Sequence, residues 1–196
     1  MAAVAAPGPV PVLSAGILAG GEGRRLGGAD KGLVLYRGLP LVRHVMAALA
    51  DQCGECIVSA NRNLDVYEAF GVRVVRDVAG RGPLAGLATL LAAARHDWLL
   101  CVPCDAPLLP PRLGARLWQA AQAAGAGAAL LHDGGRDHPT FCLVRSRLAS
   151  AAETAALAGT GLGHWLLAQG AVRLHAPAPL NLNSADDFAR LGSGSP

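Results

Sequence analysis

Apolar residues along this chain come in two spacings that take turns. Residues 12–19, VLSAGILA, form a short apolar run that reads as a strand, and a glycine-rich stretch, 20-GGEGRRLGGADKG-32, follows it. In 39-LPLVRHVMAALADQ-52 the residues Leu41, Val45 and Leu49 recur four apart behind Pro40, the pattern of a helix with one buried stripe. The alternation continues with a strand at 55–60, a brief helix near 63–70, a strand at 72–77 and a helix at 83–96 with proline at its start. A strand at 97–105 leads to a helix over 110–124 and strands near 127–132 and 139–145. Helices near 146–157 and 161–169, a strand at 171–175 and a short helix near 184–191 close the pattern. Continuous apolar strands alternating with helices predict a single α/β domain with a mainly parallel sheet and helices on both faces. Such sheets bind ligands outside the carboxyl ends of their strands. The informative positions are therefore the glycine stretch, Asn61, Asp77 and Asp105.

Length and composition narrow this picture. The 196 residues suit one domain, and a composition 52% hydrophobic but only 4% aromatic requires a core of Leu, Val and Ala. We place the domain at 12–191, between an N-terminal tail, 1–11, and a C-terminal tail, 192–196, both expected to be flexible. The small, proline-broken start lacks the basic region of an export signal. No apolar run reaches transmembrane length. The net charge is +3 with scattered basic residues, which argues against a nucleic-acid or membrane-surface patch. An odd number of cysteines, five, favours reduced thiols and a cytoplasmic location. Cys53/Cys56 and Cys101/Cys104 have C-x-x-C spacing but lie too far apart for a zinc ribbon, and read as buried or incidental thiols.

A glycine-rich turn after a first strand suits phosphate, because it lets backbone N–H groups approach an anion. It matches neither common phosphate motif. Lys31 is preceded by Asp30 and followed by Gly32, unlike a Walker loop, and Leu26 stands where a dinucleotide loop needs its third glycine. Among the 17 basic residues Lys31 is the only lysine.

The stretch 17-ILAGGEGRRLGGADKGLVLYRGLPLVRHV-45 closely resembles the nucleotidyltransferase signature L-A-G-G-x-x-R-R-[LM]-G-G-x-D-K, in the form typical of molybdenum cofactor guanylyltransferases. Similar segments follow in the same order: 74-VVRD-77, 82-GPLAGL-87, 101-CVPCDAPLLPPRL-113, 132-HDGGRDHPT-140 and 181-NLNSADDF-188. The resemblance spans about 13–191 and implies a Rossmann-like fold of the nucleotide-diphospho-sugar transferase type. It implies transfer of GMP from GTP to a molybdopterin-type cofactor with Mg²⁺ and release of pyrophosphate. Leu18, Ala19 and Gly20 are expected against the nucleotide, Arg25 and Lys31 on its phosphates, Asp105 on Mg²⁺, and Asp77 on guanine or ribose. Arg24 reads as a surface or structural residue, with an exchange of roles with Arg25 left open. The residue types suit that chemistry. Fixed cations stabilise charge that builds on the α-phosphate and leaving pyrophosphate, with arginine acting as a fork and lysine as a point charge. A carboxylate at a strand end can share Mg²⁺ with phosphate oxygens. Arg136 and His138 in the fifth segment, and Asn181 and Asn183 in the last, are expected to face the anionic second substrate. Cofactor-delivery proteins or molybdoenzymes are the implied partners.

The chain departs from the family in two places. Ser59 stands where the family often has Asn, while Asn61 shares its strand face. The turn 159-GTGLGH-164 is poorer in basic side chains than the family. His44, His96, His132, His164 and His175 have no ligand spacing. Two other readings stay open. A cytidylyltransferase for the same cofactor more often carries L-A-A-G in its first loop, and a non-catalytic nucleotide- or cofactor-binding module could dispense with Arg25, Lys31 and Asp105. Sugar-nucleotide enzymes share the loop, but 132-HDGGRDHPT-140 argues against them. In a chain that otherwise uses arginine, Lys31→Arg is expected to impair turnover, and steady-state kinetics of that variant against wild type checks it.

Overall fold

A computed structural model describes residues 9–21, 30–77, 82–182 and 187. In chain order its elements are β1 (Ser14–Leu18), a single 3-10 turn (Lys31–Leu33), β2 (Leu35–Tyr36), β3 (Leu39–Pro40), α1 (Leu41–Ala50), β4 (Glu55–Ser59), α2 (Leu64–Glu68), β5 (Arg73–Val75) and α3 (Pro83–Ala93). There follow β6 (Trp98–Pro103), α4 (Leu113–Ala123), β7 (Ala128–His132), β8 (Asp137–Arg145), a 3-10 turn (Ser146–Leu148), α5 (Ala149–Leu157), α6 (Leu162–Ala168) and β9 (Val172–His175).

Every residue of β6 is buried, so this strand has to lie inside a sheet covered on both faces. It is the middle of seven strands in the order β5-β4-β1-β6-β8-β7-β9. All pairings are parallel except those of β8, which runs antiparallel to both β6 and β7. Side chains along β6 alternate between two cores, as strand geometry requires. Trp98, Leu100 and Val102 pack with Val42, Val45 and Leu49 of α1, Tyr67 of α2, and Leu117 and Trp118 of α4. Leu99 and Cys101 pack with Leu87, Leu90 and Leu91 of α3, Ala152 of α5, and Trp165 and Leu166 of α6. The sheet is thus sandwiched between two helical layers, the architecture expected from the sequence. Cys101 and Cys142 sit opposite each other in the β6–β8 register, and all five cysteines are free thiols. Burial pushes Cys53 and Cys56 up to about 12, which keeps them protonated at neutral pH.

Three differences from the sequence expectation have local causes. Pro40 stands at the helix start as the N-cap of α1, but residues 39–40 are not themselves helical. They pair as β3 with β2 in a hairpin whose turn residues Arg37 and Gly38 both have positive φ, 49° and 80°. β8 begins at Asp137 rather than 139, because His132 and Leu131 pair with Asp137 and His138 across a tight turn. The first turn of the helix expected at 146–157 is 3-10. The C-terminal helix expected near 184–191 lies almost wholly outside the described residues, as do most of the tail at 1–11 and all of that at 192–196. Among the described residues no helix is long and apolar enough to cross a membrane.

Leu100 is fully buried in the central strand. Leu100→Ala is expected to destabilise the protein by about 2–5 kcal/mol, the usual cost of a buried leucine cavity, measured by denaturant unfolding.

Candidate active site

Four strands end level with one another. Leu18 pairs with Ser59 on one side and Pro103 on the other, and Ser59 pairs with Val75. The ladder runs one residue further: Ala19 N donates to Ser59 O at 2.8 Å, Ala60 N to Val75 O at 3.0 Å, and Cys104 N to Leu18 O at 3.1 Å. The segments that leave this row, 19–21, 60–63, 76–77 and 104–106, therefore meet along one edge. Leu18, Ala19 and Gly20 lie there, where backbone with small side chains can accept a flat or anionic ligand.

Asp105 is buried just past β6. Its Oδ2 accepts a hydrogen bond from Lys31 Nζ, an ion pair between a carboxylate and an ammonium that are both largely shielded from water. Its backbone oxygen accepts from Leu182 N at 2.9 Å, which lays residues 181–182 beside it. Asp105 Oδ1 is buried with no hydrogen-bond partner among the described residues. A buried carboxylate oxygen left bare is costly, and the described residues supply no partner for this one. Among the described residues no three His, Cys, Asp or Glu side chains gather as a metal cage. One carboxylate sharing a cation with phosphate oxygens is, however, how Mg²⁺ is ordinarily held, and the bare Oδ1 fits that arrangement.

Asp77 follows β5 and is held by neutral donors. Ser59 Oγ donates to its Oδ1 and Asn61 Nδ2 donates to its Oδ2 at 3.0 Å, while Asp77 N donates back to Asn61 Oδ1 at 3.2 Å. Residues 59 and 61 do share a face, and both turn it toward Asp77. Two glycines make room for this carboxylate. A Cβ on Gly20 would stand 2.9 Å from Asn61 Nδ2 and 3.2 Å from Asp77 Oδ2, and one on Gly86 would stand 2.7 Å from Leu18 Cδ2 and 3.1 Å from Ser59 Oγ. Ser59 is thus a support for Asp77, a role that its loss of the family amide did not suggest.

The β7–β8 turn reaches the same edge, since β7 runs parallel to β6 by way of antiparallel β8. Asp133 closes the turn: its Oδ1 accepts from Gly135 N and Arg136 N, both at 2.9 Å, and His138 Nε2 donates to its Oδ2 at 2.6 Å. These bonds, led by that from His138, hold the Asp133 carboxyl well below the usual carboxylate range. Asp137 receives both Nε (2.7 Å) and Nη2 (2.8 Å) of Arg173, and lies 2.8 Å from His132 Nδ1, whose ring packs edge-on against His175. The Arg173 fork is the main reason that Asp137 is lowered to about 2. Arg136 is exposed at the tip of the turn, and His138 is engaged by Asp133 rather than pointing freely.

Residues 15–173 match the MobA-like NTP transferase domain. The chain is 42% identical over 188 residues to the molybdenum cofactor guanylyltransferase of Pseudomonas paraeruginosa, covering 92% of this chain and 95% of the relative. It is 48% identical over 141 residues to that of Mannheimia succiniciproducens, covering 71% and 74%. The chain belongs to the MobA-like NTP transferase family. Its fold also superposes on the crystal structure of molybdopterin-guanine dinucleotide biosynthesis protein A from Archaeoglobus fulgidus, with TM-score 0.74, 20% identity and 90% and 95% of the two chains covered.

In this nucleotidyltransferase the fold brings Leu18, Ala19, Gly20, Lys31, Asp77, Asp105 and Asn181 to one edge. Arg136 stands on the β7–β8 turn and His138 at the start of β8, at the same end of the sheet. Arg25 and Asn183 lie outside the described residues. Sequence reasoning passed over Asp30, whose carboxylate accepts from Tyr67 Oη at 2.6 Å and from Asn63 Nδ2 at 3.0 Å, and Arg62, whose Nη2 donates to Gly21 O at 3.3 Å. The one available signal was Asp30 in the family signature, directly before Lys31.

Asp137 has its folded-state value depressed, so its pairing stabilises the protein above the unfolded carboxylate range and is lost as pH falls toward 2. Asp137→Asn is expected to melt below wild type at pH 7, with the gap closing as pH is lowered from 4 toward 2. Thermal melts of both proteins across that window check it.

Proposed function

We propose that this nucleotidyltransferase transfers GMP from GTP to a molybdopterin-type molybdenum cofactor, giving the guanine dinucleotide cofactor and pyrophosphate. The observation that carries the reading is Asp105, buried at the carboxyl edge with one oxygen on Lys31 and the other bare. The name shared by the relatives supports guanine as the base and the molybdenum cofactor as acceptor.

A terminal phosphate oxygen of the cofactor attacks the α-phosphorus of GTP in line. The new P–O bond forms as the bond from the α-phosphorus to its bridging oxygen breaks, and pyrophosphate leaves with that electron pair. Nothing in this exchange needs a covalent enzyme intermediate, so the protein's work is positioning and electrostatics. Backbone at Leu18–Gly20 seats the nucleotide. Lys31, with Arg25, holds the phosphates and offsets the charge that develops on them. Asp77 accepts from guanine N–H groups or from ribose hydroxyls. Each of its oxygens already takes one neutral donor and keeps a lone pair for a second. Asp105 Oδ1 is the residue atom that would hold Mg²⁺; when bound, the ion supplies charge neutralisation at the triphosphate and orients the leaving pyrophosphate. Arg136, His138, Asn181 and Asn183 face the anionic cofactor. Free thiols suit the cytoplasmic location that goes with this role.

The test is pyrophosphate release on mixing the protein with Mg²⁺, molybdenum-loaded cofactor and either GTP or CTP. Release with GTP and little with CTP is expected, and Asp105→Ala should lose at least about 100-fold in kcat while keeping its far-UV circular dichroism. Preference for CTP would reassign the base, and full activity in Asp105→Ala would overturn the mechanism.

A further inference from the structure

Lys31 has its two chain neighbours fixed by one side chain that lies far away in sequence. Tyr67 of α2 is completely buried and donates its hydroxyl to Asp30 Oδ1 at 2.6 Å. On the other side of Lys31, Gly32 lies directly against the same phenol: a Cβ there would overlap Tyr67 Oη. Any side chain at 32 would have to displace either the tyrosine or the turn. The second oxygen of Asp30 is taken by Asn63, a residue in the left-handed region with φ 51° at the start of α2. Leu33 N donates to Asp30 O at 3.1 Å and Val34 N to Lys31 O at 3.2 Å, so the backbone of the turn is closed as well. From this fixed base the Lys31 side chain extends to Asp105 on the opposite side.

We propose that Tyr67 is a positioning residue that sets Lys31 for nucleotidyl transfer, acting through Asp30 and through contact with Gly32. The inference rests on the reading of Lys31 as a phosphate-holding cation. A lysine is a point charge on a flexible four-carbon stem, so its contribution to a charged transition state depends on where its backbone is anchored. The hydroxyl has a second reason to be there. A buried phenol needs a hydrogen-bond partner, and Asp30 supplies it, so the ring and the acid hold each other in one arrangement. Burial first, and the bond to Asp30 second, push the Tyr67 phenol far above its ordinary range, so it stays a donor at every working pH. The interaction is therefore a permanent brace and not a switch.

Tyr67→Phe keeps the ring and removes only the donor. It is expected to lower kcat for pyrophosphate release between about 10- and 100-fold while KM for GTP stays within about twofold. In a Lys31→Ala background the same change should alter kcat by less than about twofold, because a residue acting through Lys31 has nothing left to position. Asp30→Asn, which keeps an oxygen acceptor for the phenol, should retain more activity than Asp30→Ala at similar melting temperature. Wild-type kcat in Tyr67→Phe, or losses that multiply in the double variant, would overturn the proposal. Full activity of Lys31→Ala by itself would instead remove the reading of Lys31, and this inference with it.

Discussion

The level row formed by Leu18, Ser59, Val75 and Pro103 is the constraint from which the site follows. Parallel strands in common register deliver their following segments to one edge, so polar residues from distant parts of the sequence become neighbours without any long loop to guide them. The register is in turn held by β6, whose side chains are locked into both cores at once. Antiparallel β8 does not interrupt this scheme. Because β8 is antiparallel to both its neighbours, β7 runs parallel to β6 and the 133–136 turn at the end of β7 lies at the same edge.

The carboxylates at that edge are held in different ways, and the differences are chemical. Asp105 shares an oxygen with a cation, so part of its charge is already answered. Asp77 meets only a hydroxyl and an amide in the described structure, and they fix its orientation. Asp30 is held by a phenol and an amide, and its task is internal. Asp133 and Asp137 are tied to His138 and Arg173 and are committed to shaping the hairpin. A triphosphate brought to a surface with this many acids meets repulsion that cations must offset. On the proposed reading, that repulsion is the physical reason a lysine at 31 and a divalent ion on Asp105 would be needed.

How much of this could be read from the sequence depended on distance along the chain. The main strands were legible because burial on both faces writes them as unbroken apolar runs. The β2–β3 hairpin was not, since two-residue strands carry no periodicity and only Arg37-Gly38 marks the turn. Lys31 and Asp105 stood out because each lies in a contiguous motif. Ser59 with Asp77, 18 residues apart, and Tyr67 with Asp30, 37 apart, are partners only in three dimensions. Tyr67 sits in a short helix where an aromatic reads simply as core, and nothing nearby in sequence shows that its hydroxyl reaches an acid. Ser59 looked like a lost contact to the base because the residue it serves lies just past the next strand.

The close fit of Gly32 against Tyr67 has a consequence for how such chains can be recombined. The glycine loop is not a portable cassette, since its last turn is moulded on a phenol contributed by α2, past a hairpin, a helix and a strand. A chimera whose crossover falls between the loop and α2 joins a turn to a surface it was not shaped for. The natural unit of exchange runs from β1 through α2, and it is longer than the signature by which the loop is recognised.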